Sequence, residues 1–373
     1  MVSETFFEYL EQQFNKKLPF VVYRKPNNNG IKALLQNSND LHIIEDYSEK
    51  GFVFAPFDDS KDAILIPIKD SESIESDFVI SNTSEKPQSI FKNSDSSKQH
   101  HLSLVKNGIE AIKNGEFKKV VLSRCEHVEL SEENPIHIYK HLLQNYPTAF
   151  VYCWYHPKIG LWLGATPETL IKIEGSRFKT MALAGTQEYF GSMDVSWENK
   201  ELEEQLFVTH FIVNSLQNSV TNLNVSDVET VRAGSLLHLK TNITGILNLE
   251  SSNFKHLLNR LHPTPAVCGL PKEKTKSFIL KNETYNRGFY TGFLGELNLQ
   301  ERTTRNSNKR NVENNAYATI KKVSNLYVNL RCMQIHNQKA LIYIGGGITK
   351  DSKPEAEWQE TIVKSEVMKK VLH

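Results

Sequence analysis

The chain has 373 residues, and its 44 Lys and Arg against 43 Asp and Glu give a formal net charge of +1. This balance excludes a general attraction to nucleic acid or to an anionic membrane surface. No apolar run is long enough to span a bilayer, and the first eight residues are acidic where a signal peptide would be basic. Four cysteines without Cys-x-x-Cys spacing predict free thiols in a reducing compartment. We therefore expect a cytoplasmic protein.

The first hundred residues predict a strand-rich segment. Apolar residues recur at helical spacing over residues 3–14, and short strands are expected over 20–23, 31–35, 51–57 and 63–68. From Lys69 to about Lys98 the composition shifts to Ser, Asp, Glu, Asn and Lys, which is typical of a linker. We divide the chain into an N-terminal subdomain with its polar linker, residues 1–98, and a catalytic domain, residues 99–373, integrated into one fold.

The remainder of the chain predicts an α+β fold. Helices are expected over about 102–114, 197–220 and 273–284, and strands come in neighbouring runs between them, including one strand from Leu326 to Ile335. Neighbouring strands favour mainly antiparallel sheets with helices packed outside. The polar stretch from residue 300 to about 315 predicts a mobile surface insertion.

One stretch near the C-terminus combines several signals. An apolar strand over Ala340 to Ile344 is followed by three glycines. We predict that these glycines form a turn whose backbone amides are accessible to a ligand. Ser352 and Glu355 then have the spacing of a capping box, and Pro354 suits the first turn of a helix.

Two predicted helices each carry a pair of glutamates spaced three residues apart. Glu357 and Glu360 share one face of the C-terminal helix, and Glu201 and Glu204 share one face of the long central helix. Like charges on one face repel, so each pair is either a solvated surface or half of a site for a hard divalent cation such as Mg²⁺.

Four single residues stand out for their chemistry. Lys119 opens an apolar strand, so it either ends that strand in solvent or projects into a site. Glu168 follows a Gly/Pro turn, as a structural turn residue or as a buried general acid. Arg331 interrupts an apolar strand, where it either alternates towards solvent or clamps a carboxylate. His238, between two leucines, is either a satisfied core histidine or a site residue.

Apart from Arg331, these residues lie in motifs whose order resembles that of the chorismate-utilising enzymes, and most closely the isochorismate synthases, over about residues 101–366. The motifs are Lys119-Val-Val-Leu-Ser-Arg124, Gly164-Ala-Thr-Pro-Glu168, Leu183-Ala-Gly-Thr186, Lys200-Glu-Leu-Glu-Glu204, His238-Leu-Lys-Thr241, Leu261-His-Pro-Thr-Pro-Ala-Val-Cys-Gly269, Tyr285-Asn-Arg-Gly-Phe-Tyr-Thr-Gly292 and Gly345 through Lys364.

The resemblance implies a set of roles. Chorismate would gain a hydroxyl at C2 and lose one from C4, with Lys119 as the base that activates water and Glu168 as the general acid. Arg331 would hold the enolpyruvyl carboxylate and His238 would lie near the ring. The implied Mg²⁺ ligands are Glu204 and Glu360 directly and Glu201 and Glu357 through waters, and the implied anion contacts are Lys364, Gly185, Gly345 and Gly346.

Related activities remain open at this point. Ala184 occupies the place of the nucleophilic lysine of aminodeoxychorismate synthases, so that route is not expected. Anthranilate synthases lack the base lysine, which is present here as Lys119. A salicylate synthase, which forms isochorismate as an intermediate, and a non-catalytic chorismate-binding protein stay as alternatives. The product would enter menaquinone or catechol siderophore biosynthesis, no amidotransferase subunit is expected, and the protein would be a monomer or homodimer. Glu201, Gln205 and Gly346 depart from the family's usual Asp, His and Ala.

Overall fold

The computed structural model describes residues 3–80, 95–130, 134–234, 236–248, 254–303 and 319–372. Most of the predicted insertion at 300–315 lies outside these ranges. The helices are α1 Ser3–Asn15, α2 Asp95–Lys113, α3 Pro135–Asn145, α4 Asn199–Leu216, α5 Phe254–Leu261, α6 Lys272–Asn282 and α7 Pro354–Lys369, with a short 3₁₀ helix at Ile68–Asp70.

The strands are β1 Phe20–Arg24, β2 Gly30–Gln36, β3 His42–Ile43, β4 Gly51–Ala55, β5 Ile64–Pro67, β6 Ser71–Asp77, β7 Lys119–Glu129, β8 Phe150–His156, β9 Gly160–Thr166, β10 Thr169–Glu174, β11 Arg177–Glu188, β12 Val220–Val225, β13 Glu229–Ala233, β14 Leu236–Leu247, β15 Gly269–Leu270, β16 Phe293–Thr303, β17 Thr319–Val328, β18 Cys332–His336 and β19 Lys339–Ile348.

Two large antiparallel sheets form the body of the described chain. The nine-stranded sheet has the order β15-β7-β19-β18-β9-β8-β1-β2-β6, and the ten-stranded sheet has the order β12-β14-β11-β10-β17-β16-β4-β5-β3, with β13 also paired to β14. Antiparallel sheets with helices outside confirm the predicted α+β class.

An aromatic core fills the space between the two sheets. Phe150 of the nine-stranded sheet stacks on Tyr327 of the ten-stranded sheet with ring centroids 4.1 Å apart. Phe54 packs against Trp154 in the same layer. Because each ring is buried and contacts the facing sheet, this layer fixes how the two sheets sit on each other.

Helices cover the outer face of each sheet. Apolar faces of α1, α3 and α7 pack on the nine-stranded sheet, and those of α4 and α5 pack on the ten-stranded sheet. As a result the two acidic pairs lie on helices that pack on different sheets. α4 packs on the ten-stranded sheet and α7 packs on the nine-stranded sheet. Among the described helices, none is long and apolar enough to cross a membrane.

The N-terminal strands are shared between the two sheets. β1 pairs with β8 and places Val22 opposite Cys153, while β4 pairs with β16 and places Val53 opposite Gly295. The proposed boundary at residue 98 stays a prediction. All four cysteines are free thiols, as predicted.

Three local predictions are wrong, and one helix was not predicted. The predicted linker contains β6, an edge strand whose polar sequence reflects that only Ile74 is buried. Helix α3 was missed, although Asn134 caps it through an accepted bond from the N–H of Ile136. The expected strand from residue 326 to 335 is two strands, β17 and β18, in different sheets. The three glycines do not turn, because they continue β19 along β7.

Candidate active site

A cavity of about 130 Å³ lies where β7 and β19 of one sheet and β11 and β14 of the other meet α4 and α7. It gathers ten of the twelve predicted site residues, which are Lys119, Glu168, Gly185, Glu204, His238, Arg331, Gly345, Gly346, Glu360 and Lys364. Glu201 and Glu357 do not line it.

Lys119 points into the protein, so the reading in which it ends its strand in solvent is wrong. Its side chain is 2 % exposed and its Nζ lies 3.5 Å from Oε1 of Glu204. The residue is buried because β7 is an inner strand at this point. β15 lies on one side, with Leu270 opposite Lys119, and β19 lies on the other, with Ile348 opposite Val120. The amine of Lys119 therefore lies beside the carboxylate of Glu204, and the residue lines the cavity.

Glu168 is also buried, with 3 % of its surface exposed. It follows β9 by two residues, and its N–H donates to Oγ1 of Thr166. Burial raises its pKa to about 8, although the positive charges of Lys119 and Arg331 act in the opposite direction. The carboxyl is therefore mainly protonated at neutral pH, which is the form a general acid needs.

Arg331 lies where the chain crosses from one sheet to the other, between β17 and β18, with a left-handed φ of 47°. Its Nη1 donates to the carbonyl of Ala233 at 3.1 Å, and its Nη2 donates to Nε2 of His238 at 2.7 Å. Burial lowers its pKa to about 10. The predicted strand position is wrong, because an extended strand would not bring the chain across the two sheets.

His238 lies between Arg331 and the backbone of Gly185, one of the predicted anion contacts, and forms a hydrogen bond with each. Since Nε2 accepts from the guanidinium, Nδ1 carries the proton and donates to the carbonyl of Gly185 at 2.7 Å. Burial and the nearby Arg331 lower the pKa of His238 to about 3, so the ring stays neutral. His238 thus orients Arg331 as well as lining the cavity.

The acidic pairs lie on α4 and α7, and two lysines form ion pairs with the glutamates of α7. Nζ of Lys200 lies 2.7 Å from Oε1 of Glu357, which joins the two helices, and Nζ of Lys364 lies 2.6 Å from Oε1 of Glu360 and 3.1 Å from the carbonyl of Gly345. Burial, and then Glu360, raise the pKa of Glu357. For Glu360, burial acts upward, but Lys364 outweighs it and holds the pKa below the ordinary value.

Three carboxylate oxygens in these pairs are buried without a hydrogen bond among the described residues: Oε2 of Glu201, Oε1 of Glu204 and Oε2 of Glu357. Carboxylate oxygens are the ligands that Mg²⁺ prefers, so the donor set fits this ion. Within the described ranges, however, no three acidic, His or Cys side chains meet in a ready-made metal cluster. The predicted metal site stays a prediction.

The glycines of β19 let these side chains approach the backbone. A Cβ at Gly347 would lie 2.2 Å from Oε1 of Glu204 and 3.0 Å from Cε of Lys119. A Cβ at Gly346 would lie 3.4 Å from Oε2 of Glu357 and 3.6 Å from Oε1 of Glu360. Gly347 therefore makes room for the predicted base and metal ligand.

Sequence reasoning missed two functional candidates, Gly347 and Lys200. A glycine inside a strand pattern is a known signal of close approach, but the expected turn concealed it. The capping box is also wrong, since α7 is capped by Lys353 without a side-chain bond and Oγ of Ser352 accepts from the N–H of Thr349. Gln205, at the usual histidine position, is buried and donates to Oγ1 of Thr241 at 2.9 Å.

Comparison with known proteins identifies the family. The chorismate binding enzyme family matches residues 53–304 by one sequence model and residues 317–370 by a second. The isochorismate synthases DhbC and MenF of Bacillus subtilis are 27 % identical over 71 % of this chain and 29 % identical over 73 % of it. The matches span 65 % and 55 % of those relatives' own lengths, which is less than two thirds.

The structure of MenF, the menaquinone-specific isochorismate synthase of Escherichia coli, superposes with a TM-score of 0.74 at 20 % identity and covers 95 % of this chain and 89 % of that one. At this identity the superposition shows the shared fold. The family matches, which together cover most of the chain, confirm the predicted resemblance, and the chain belongs to the chorismate binding enzyme family.

Proposed function

We propose that this protein is an isochorismate synthase, which converts chorismate to isochorismate. One observation carries the proposal: a buried lysine, Lys119, and a buried, protonated carboxyl, Glu168, line the same cavity. The names of the two Bacillus subtilis relatives support the same reaction.

The reaction needs one proton removed and one supplied. Lys119, in its neutral form, accepts a proton from the water that adds at C2. Glu168 donates its proton to the hydroxyl at C4, which leaves as water. One water is consumed and one released, so the product is an isomer of the substrate. Each positioned proton transfer contributes about 100-fold or more to the rate.

A dianionic substrate also needs fixed positive charge. Arg331 presents a guanidinium whose orientation is set by His238 and by the carbonyl of Ala233. Planar, doubly held guanidinium groups bind carboxylates with two parallel bonds, which favours Arg331 as the contact for the enolpyruvyl carboxylate. Lys364 lies on the same cavity beside Gly345.

We include Mg²⁺ in the proposal because three buried carboxylate oxygens of Glu201, Glu204 and Glu357 accept no hydrogen bond within the described residues. Glu204 and Glu360 would hold the ion directly, and Glu201 and Glu357 would hold its waters. When bound, the ion would offset the repulsion between the acidic pairs and attract the ring carboxylate of the substrate. Lys200 and Lys364 supply that positive charge in the structure itself.

A product assay tests the proposal. Purified protein is incubated with chorismate, with and without Mg²⁺, and the products are resolved by liquid chromatography. We expect isochorismate as the main product and only with Mg²⁺. Salicylate with pyruvate would instead identify a salicylate synthase, and binding of chorismate without turnover would identify a non-catalytic binding protein.

The metabolic route is a separate part of the proposal. Isochorismate from this enzyme would supply menaquinone or catechol siderophore synthesis, and the relatives include both DhbC and MenF proteins. Because water is the nucleophile, the reaction needs no amidotransferase subunit. Complementation of strains that lack one or the other isochorismate synthase would distinguish the two routes.

A further inference from the structure

A second cavity, of about 380 Å³, lies beside the candidate active site in a cleft over the ten-stranded sheet. Its floor is formed by β10, β11, β13 and β14, and its rim by the β1–β2 turn at Pro26 and by Thr148. It shares Pro167 and Leu183 with the first cavity as a common wall. Its volume is within the range of small-molecule sites.

The cleft is lined by four cationic side chains, Lys172, Lys179, Arg232 and Lys240. Lys240 is paired with Glu229 at 3.0 Å. Arg232 lies over the ring of Tyr189 and donates to a backbone carbonyl, so no carboxylate neutralises it among the described residues. The cleft therefore carries excess positive charge.

Lys172 and Lys179 are the most informative pair. They stand directly opposite each other in the β10–β11 ladder, an arrangement of like charges that destabilises a sheet. Neither makes an ion pair within the described part of the chain. Glu296 attracts Lys172, but its oxygens are already bonded to Lys25 and Tyr23.

Burial lowers the pKa of Lys172, and repulsion by Lys179 and Lys25 lowers it further. Lys172 is half-buried and Lys179 is exposed. Glu296 attracts Lys172 and Glu229 attracts Lys179, but neither carboxylate forms an ion pair with its lysine within the described residues. Two lysines held in register in this way repel each other, and a bound anion would relieve that repulsion.

We propose that this cleft is a second anion-binding site, distinct from the catalytic cavity, which takes a small organic dianion. The dianion has two possible sources. It is either the dicarboxylate substrate on its way to the shared wall beside Glu168, or a separate effector. The site itself does not depend on the proposed reaction, because its charge and volume are features of the cleft alone.

Calorimetric titration with malonate tests the site without any substrate. An Arg331→Met background removes the anion clamp of the catalytic cavity. In that background we expect malonate to bind, and Lys172→Met/Lys179→Met to weaken binding about tenfold or more, while Lys172→Arg/Lys179→Arg retains it. The charge-matched control is Lys113→Met/Lys339→Met, which removes two lysines outside the cleft. Absence of malonate binding in the background, or equal weakening in the control, would overturn the proposal.

Kinetics with the otherwise wild-type enzyme then separate the two sources. If the substrate passes through the cleft, Lys172→Met/Lys179→Met lowers kcat/KM for chorismate and flattens its dependence on ionic strength. If the cleft holds an effector, kcat/KM without malonate is unchanged and the effect of malonate on turnover disappears. Failure of the proposed isochorismate synthase activity would leave the calorimetric result standing, so the two proposals fail separately.

Discussion

Gly347→Ala gives the sharpest test of how the site is built. Gly347 lies in β19, in extended backbone that alanine adopts readily, so the substitution acts through its new methyl group alone. That methyl would lie 2.2 Å from Oε1 of Glu204 and 3.0 Å from Cε of Lys119. The two side chains that it meets are the proposed metal ligand and the proposed base.

The expected effect follows from how far Glu204 must move. Real Cβ contacts essentially never fall below 3.0 Å, so the carboxylate oxygen must shift by at least 3.0 − 2.2, or 0.8 Å. A misplacement of about 1 Å in a catalytic group costs about 100-fold in rate, which is about 2.7 kcal/mol. Stability should change little, because the displaced atom ends a flexible side chain and alanine stiffens the unfolded chain by about 0.4–1 kcal/mol.

Gly346→Ala is the matched control on the neighbouring residue. Its methyl would lie 3.4 Å from Glu357 and 3.6 Å from Glu360, which are ordinary contacts. We expect kcat/KM within about threefold of wild type, compared with a loss of about 100-fold for Gly347→Ala. Steady-state kinetics with chorismate and a thermal unfolding curve for each variant provide the measurements.

Near wild-type activity of Gly347→Ala would show that Glu204 needs no fixed place. Equal loss of activity in both variants would show that the glycines act through the strand and not through the contacted side chains. Loss of activity together with a large drop in melting temperature would point to a disrupted fold.

The remaining predictions concern individual groups. Burial raises the pKa of Glu168 to about 8 and the acid acts in its protonated form, so Glu168 should contribute a fall in kcat/KM of about tenfold per pH unit above pH 8, and the pH–rate profile of Glu168→Gln should lack this contribution. Glu168→Gln should lower kcat about 100-fold or more at neutral pH without unfolding the protein; a smaller loss would remove it from the role of acid. Lys119→Ala should lower kcat by a similar factor, and near-full activity would refute its role as the base. Glu204→Ala and Glu360→Ala should each abolish both turnover and the response to Mg²⁺ in a metal titration; metal-stimulated turnover in either would contradict the proposed ligand set.

Sequence patterns predicted the parts of this molecule that depend on local spacing. The helical spacing of Glu201 with Glu204 and of Glu357 with Glu360 placed each pair on one helix, as observed. Strand alternation and helix periodicity gave the fold class, because antiparallel neighbours along the chain are usually neighbours in a sheet. The order of the motifs then supplied the family.

The parts that failed depend on contacts between distant segments. No local signal shows that β17 and β18 join different sheets, since only three residues separate them. Likewise, three consecutive glycines are typical of a turn. The approach of Glu204 from α4 to Gly347, and of the Tyr290 hydroxyl to Gly345, explains why β19 needs glycine at these positions while remaining extended. Polar edge strands such as β6 have linker-like composition because one face and one edge meet solvent.

The crossing between the sheets explains why Arg331 can be held so firmly. A left-handed φ at a residue other than glycine costs on the order of 1–3 kcal/mol and persists only when its surroundings impose it. Here the carbonyl of Arg331 accepts from the N–H of Ala165 in the nine-stranded sheet, while its guanidinium donates to Ala233 and His238 of the ten-stranded sheet. Both sheets therefore fix the guanidinium before any ligand binds, which reduces the ordering cost of binding an anion. An arginine in the middle of a single strand would be oriented by one sheet alone. The crossing between β17 and β18 therefore provides the contacts from both sheets that orient the guanidinium of Arg331.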